Sequence, residues 1–109
     1  MKSKRSNSNK SHNRERAVIA RMASIFKVLS DPARLRIVLG LQRGEQYVQV
    51  MAAETGFSSS LVSHHLRHLR QLNLVICERR GRQAFYRLAD SHVIALLAVA
   101  HDHATESMV

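Results

Sequence analysis

The sequence predicts a mainly helical protein carrying one small β-hairpin, and three observations lead there. Apolar residues recur at three- and four-residue spacing through most of the chain, the period of amphipathic helices. Near residues 74–88 two short runs of strand formers flank a Gly-containing turn, the pattern of a hairpin. At 109 residues, with 45% apolar content, the chain is long enough for one modest core. A single cysteine, Cys77, excludes a disulfide framework or a Cys-rich zinc finger. The longest apolar run, residues 93–100, is less than half of what a bilayer span requires. Residues 2–16 are polar throughout and lack the apolar core of a secretory signal, so a soluble, cytoplasmic protein is expected.

Taken in order, residues 1–14 are rich in Ser, Asn and Lys, bury nothing, and are expected to form a disordered basic arm ahead of a domain at 15–107. A first helix is predicted at 15–30, with Val18, Ile19, Met22, Ile25, Phe26 and Leu29 on one side. Asp31 and Pro32 then cap and open a second helix, which runs to about residue 43 before Gly44 stops it. Residues 45–47 read as a connector to a third helix at 48–55. A turn at 56–58 leads to a fourth helix at 59–72, with Leu61, Val62, Leu66, Leu69 and Leu72 apolar. The strands are expected at 74–77 and 84–88 around Arg80-Gly81-Arg82-Gln83, and a last helix at 91–106. The order is α-α-α-α-β-β-α, which resembles a winged helix-turn-helix with added helices at both ends.

Within the third and fourth helices the spacing has a mechanical meaning. Ala52 lets two helices approach, Gly56 permits the tight turn between them, and the β-branched Val62 locks the second onto the first. The second of these helices presents Ser58, Ser60, Ser63, His64 and Arg67. Hydroxyls at a helix N-terminus suit phosphate, and side chains at 3–4 spacing form a face for the major groove. Ser58 and Ser59 read equally as simple caps. His64 and His68 stand one turn apart but lack a carboxylate or thiolate to complete a metal site. The same lack of an acidic partner leaves no nucleophilic triad, so an enzyme is not expected. Arg79, Arg80 and Arg82 make the hairpin a basic wing suited to the adjacent minor groove or its phosphates.

The net charge of +9 points to a polyanion, and its distribution is uneven. Residues 1–16 and 67–87 each carry +5, whereas everything after Leu88 carries −3. In that last stretch stand Asp90, His92, His103 and Glu106, all ligand types for a borderline cation. His92 and His103 are 11 residues apart, about 16 Å along a helix, so one helix cannot bring both to one ion. Two copies packed antiparallel through Val93, Leu96, Leu97 and Ala100, together with the first helix, join the two pairs and create two equivalent sites. An exposed acidic helix end is the competing reading of the same residues.

Three blocks carry a family resemblance: Val28-Leu29-Ser30-Asp31-Pro32-Ala33-Arg34-Leu35-Arg36-Ile37, Ser60-Leu61-Val62-Ser63-His64-His65-Leu66-Arg67-His68-Leu69, and Gly81-Arg82 with Phe85-Tyr86-Arg87-Leu88. In that order they are similar to the ArsR/SmtB family of bacterial metal-responsive repressors, over about residues 18–107. The resemblance implies a homodimer bound to a palindromic operator and a zinc site of Asp90, His92, His103 and Glu106 on the last helix, two per dimer and bridging the subunits. It implies release of DNA when zinc binds, with His103 signalling to a carbonyl at Asn73 or its neighbour Leu72. Where other members carry thiolates, this chain has Glu45-Gln46-Tyr47-Val48-Gln49, so thiolate sensing of arsenite, lead or cadmium is not expected. Cobalt can substitute for zinc. Nickel or cobalt sensing with six ligands would recruit His12 or His101. Two other readings are a winged-helix repressor without metal response and a sequence-independent architectural DNA protein. No membrane partner is expected.

Overall fold

The computed structural model describes the backbone of residues 2–108 and the side chains of residues 8–108. Five helices, α1 (Lys2–Leu29), α2 (Pro32–Leu41), α3 (Val48–Thr55), α4 (Ser59–Gln71) and α5 (Ser91–Glu106), combine with three strands. These are β1 (Gln46–Tyr47), β2 (Val75–Arg80) and β3 (Gln83–Leu88), in sheet order β1-β3-β2. The helix starts follow local chemistry. The Asp31 carboxylate accepts the Ala33 and Arg34 N–H groups at 2.8 and 3.4 Å, with Pro32 first inside α2. Gly56, at φ +78°, ends α3 and donates its N–H to the Ala52 carbonyl at 2.9 Å. Gly81, at φ +62°, sits first in the two-residue loop between the paired Arg80 and Gln83.

Two expectations are corrected. Residues 45–47 are not only a connector: Gln46 and Tyr47 pair with Tyr86 and Phe85, making the sheet three-stranded. The order is therefore α-α-β-α-α-β-β-α. Two residues are too short for a periodic signal, and the pairing is made from 38 or more positions away. The wing strands run to the turn itself, six residues each, because the Arg-rich tip continues the antiparallel ladder. The backbone of residues 2–14 continues α1 back to Lys2. Residues 2–16 hold no Pro or Gly to interrupt a helix, and every described side chain from Ser8 to Ser24 is exposed. That part of α1 therefore stands on local hydrogen bonds rather than packing.

The core lies where α2, α3 and α4 meet the sheet and α5. Ile37, Val38, Met51, Val62, Leu66, Leu69, Val75 and Leu97 are all buried there. The fourth helix ends in a left-handed Asn73 (φ +57°), whose N–H donates to Arg70 O while Leu74 N–H donates to Leu69 O, both 3.0 Å. This closure turns the chain directly from α4 into β2, and so places the wing beside that helix. By contrast, the apolar side of α1 before Ile25 finds no partner among the described residues, whereas Ile25 and Val28 pack against the core. Val18, Ile19, Met22 and Phe26 are exposed, and only Leu29 at its end is buried.

Candidate nucleic-acid interface and metal ligands

Helix α4 has two faces of opposite character. Val62, His65, Leu66 and Leu69 are buried, while Ser60, Ser63, His64 and Arg67 are exposed at i, i+3, i+4 and i+7. With Ser59, the exposed set lines a shallow depression on the surface. Ser58 acts on the helix itself, since its hydroxyl oxygen accepts the Leu61 N–H at 3.1 Å and caps α4. The wing arginines divide. Arg79 and Arg82 are exposed, and their side chains hydrogen-bond to no described residue. Arg80 instead forms a fork to both Glu45 oxygens, 2.9 Å for the second, bonds Glu78 at 2.8 Å, and lies 4.8 Å over the Phe85 ring. The Arg80 bond holds the Glu78 carboxyl below the usual carboxylate range. Arg70 and Arg87 extend the exposed basic surface.

Spacing groups His65 with His64 and His68, but the structure separates it from them. Its ring is buried, and its Nδ1 accepts the Arg34 Nε–H at 3.1 Å. The ring is therefore neutral, with its proton on Nε2. The same guanidinium donates to the Val28 carbonyl at 3.5 Å, so one arginine ties the end of α1 and the start of α2 to α4. Burial pushes the His65 pKa down. Asp31 opposes that shift, while Arg34, His64 and His68 reinforce it. His68 is lowered too, first by desolvation and then by Arg34, His64 and Arg67. The folded chain consequently resists protons that the unfolded chain accepts near its ordinary histidine pKa. Stability is fully present above about pH 6.5 and falls as the pH drops below it. Urea unfolding between pH 7.5 and 5.5, with a chelator present, is expected to show that loss. His65→Gln, which keeps an acceptor for Arg34 and does not titrate, should show a flatter profile, and an equal slope in both proteins would rule out His65 as a source.

At the last helix, Asp90 caps α5 by accepting the Val93 N–H at 3.0 Å through Oδ1. The same oxygen stands 3.7 Å from His92 Nδ1, and the His92 side chain is 94% exposed. At the far end, His103 and Glu106 are exposed and their side chains bond no described residue. Among the described residues no three potential ligands cluster within one chain. The apolar stripe expected here divides. Val93 and Leu97 pack into the chain's own core, whereas Leu96, Val99 and Ile94 remain exposed. Successive helical positions turn by about 100°, so His92, Leu96, Val99, His103 and Glu106 lie within about 80° of arc on one outward face. His101 lies on the opposite side of α5, against Leu35 and Leu39 of α2. No hydrogen bond joins His103 to Asn73 or Leu72. Outside helices and strands, the carbonyls of those two residues accept no backbone N–H from the described residues. His12, on α1, has its Nδ1 at 3.1 Å from the Ser8 carbonyl.

Cys77 is half-buried on β2 opposite Tyr86, whose pKa burial and the Cys77 contact raise. It is placed for packing, away from α5. Sequence reasoning missed Glu45, the carboxylate that engages Arg80 across 35 positions. It also missed Gln42, whose amide donates to the Ile94 carbonyl and joins α2 to α5. Neither carried a local signal. No helix among the described residues is long and apolar enough to cross a membrane.

Residues 31–76, from the α2 cap through α4 into β2, match the family described as bacterial regulatory protein, arsR family. The chain is 46% identical over 86 residues to a transcriptional repressor SmtB homolog of Synechocystis, covering 79% of this chain and 65% of that protein. It is 43% identical over 84 residues to the HTH-type transcriptional regulator NmtR of Mycobacterium tuberculosis, covering 77% and 70%. The chain thus spans about two thirds of the length of these curated relatives. Among solved structures, it superposes with TM-score 0.83 and 32% identity on a homodimeric winged helix-turn-helix DNA-binding domain from Mycobacterium bovis, with 87% of this chain and 88% of that one covered.

Proposed function

The chain belongs to the arsR family of bacterial regulatory proteins, DNA-binding transcriptional regulators and not enzymes, and from that premise we propose that it is a zinc-responsive repressor working as a homodimer. The observation that carries the metal part is the outward face of α5. It holds His92, His103 and Glu106 around the apolar Leu96 and Val99, with Asp90 at its start. Exposed apolar surface of this kind, also presented by Val18, Ile19, Met22 and Phe26 on α1, marks a protein interface. A second copy of this chain suits it. The midpoint between positions 92 and 103 and that between 90 and 106 both fall beside Ala98. A single two-fold axis there sets Asp90 and His92 of each protomer against His103 and Glu106 of its partner.

The donors fit the ion. Two imidazoles and two carboxylates are donors that zinc accepts, and three of the four side chains are unengaged apart from the weak Asp90–His92 approach. Bound zinc would supply a cross-link between the protomers. The chain's own residues do the rest. Ser60, Ser63, His64 and Arg67 read the major groove, Ser58 keeps the helix end capped beside the backbone, and Arg79 and Arg82 hold phosphate or the minor groove. His103 would hold the ion through one ring nitrogen, leaving the other to donate to the carbonyl of Asn73 or Leu72 at the end of α4. Repression belongs to the metal-free dimer, whose two recognition helices match successive major grooves. The ligated dimer holds them apart from that spacing and lets metal efflux or sequestration genes be expressed.

His101 faces away from this set, which favours four-coordinate zinc over the six ligands that nickel or cobalt sensing needs. The test is binding to a duplex selected from a randomised library by the metal-free protein, with zinc and nickel titrated separately. Affinity for the selected duplex is expected to exceed that for a random one by about 10³ or more and to fall on adding zinc. Equal affinity for both duplexes would instead make this an architectural DNA protein. Indifference to zinc would make it a repressor without metal response, and a response to nickel alone would recast the metal.

A further inference from the structure

Of the three wing arginines, Arg80 is the most engaged, although the sequence marks all three alike for DNA. We propose that Glu45 and Arg80 form a tether that sets the position of the wing relative to the recognition helix, making Glu45 a positioning residue for operator recognition. The inference rests on the DNA-binding reading above and adds a residue to it.

A β-hairpin is marginal by itself, and this one has little to hold it. Along β2 only Val75 is buried and only Cys77 half-buried, with Glu78, Arg79 and Arg80 all exposed. The pairing of β1 reaches no further than Phe85, leaving the tip from Arg79 to Ala84 beyond its ladder. Arg80 belongs to the last pair before the turn. Its fork to Glu45, the residue before β1, grips the tip from outside the hairpin. Its guanidinium also covers Phe85, whose ring meets Tyr47 of β1 edge-on at 5.5 Å. Tyr47 leads directly into α3, and α3 packs against α4. Wing tip, β1, α3 and recognition helix thus form one connected unit. Arg79 and Arg82 then reach DNA at a set distance from Ser63 and Arg67.

Simple electrostatics and the tether make opposite forecasts for Glu45→Gln. Deleting a negative charge beside a basic wing should strengthen binding to any duplex. Loss of the tether should weaken the selected duplex while the random duplex holds or gains. Affinity for the selected duplex is expected to fall about fivefold per wing. Arg80→Lys, which keeps the charge but loses the fork, should do the same. Glu78→Gln removes the same charge as Glu45→Gln but leaves the link to β1, and should change the selected-to-random ratio less. Backbone order parameters at residues 79–84 measure the tether without DNA and should drop in Glu45→Gln but not in Glu78→Gln. Unchanged order parameters, or a selected-to-random ratio in Glu45→Gln equal to wild type, would overturn the tether. Failure of the wild-type protein to select any duplex would count against the DNA reading, leaving the order parameters to decide the tether.

Discussion

Replacing His103 by Ala is expected to leave the metal-free protein bound to its operator near wild-type affinity and to abolish the effect of zinc. The ring is exposed on the outward face of α5 and bonds no described residue, so its loss should change fold stability by no more than about 0.5 kcal/mol. The coupling it carries is far larger. Linkage between two sites is typically about 1–3 kcal/mol, so zinc should weaken wild-type operator binding by roughly 5- to 150-fold. The relation is reciprocal, and saturating operator should weaken zinc binding by the same factor. Fluorescence anisotropy of a labelled duplex measures both sides. His101→Ala is the control, because His101 faces α2 across the helix. A zinc response that survives in His103→Ala would remove His103 from the site, and one lost in His101→Ala would move the site to the other face.

Leu66→Ala should cost about 2–5 kcal/mol, a large share of the ~5–15 kcal/mol that holds a domain together. Leu66 is fully buried on the inward face of α4, beside Val62 and Leu69, where truncation leaves a cavity. For a domain of this size each kcal/mol lowers the melting temperature by about 4–8 °C. Ser63, three residues earlier, points outward, so Ser63→Ala should leave the melting temperature nearly unchanged while weakening the selected duplex. The two variants separate the packing face of one helix from its reading face. If Leu66→Ala melts no earlier than Ser63→Ala, the inward orientation of α4 is wrong.

What could be read from the chain was local. Asp31 and Pro32 announced α2, Gly56 the turn before α4, Ser58 a cap, and Gly81 the hairpin. Each acts on its own neighbours within four residues. The two faces of α4 were legible for the same reason, since a 3.6-residue period shows which side chains travel together. The exception on that helix is instructive. His64, His65 and His68 look alike in sequence, but only His65 meets Arg34, 31 positions away. Composition gives no means of choosing among them.

Three of the disagreements have one cause in common. Pairing of Gln46 and Tyr47 with β3 and the engagement of Arg80 by Glu45 are set by residues 35 or more positions distant. The division of the α5 apolar residues depends likewise on which side of that helix meets α2 and the core. Valine and leucine at 93, 96, 97 and 99 have the same chemistry, and burial alone assigns two to the core and two to the surface. By itself, then, the sequence determined the helices, the turn between α3 and α4, the hairpin and the residues able to ligate a cation, because capping, periodicity and side-chain chemistry are short-range properties. Only the tertiary structure decided which arginine of the wing is engaged, which histidine of α4 is buried, and which face of α5 remains open. Those outcomes depend on contacts between segments far apart in the chain.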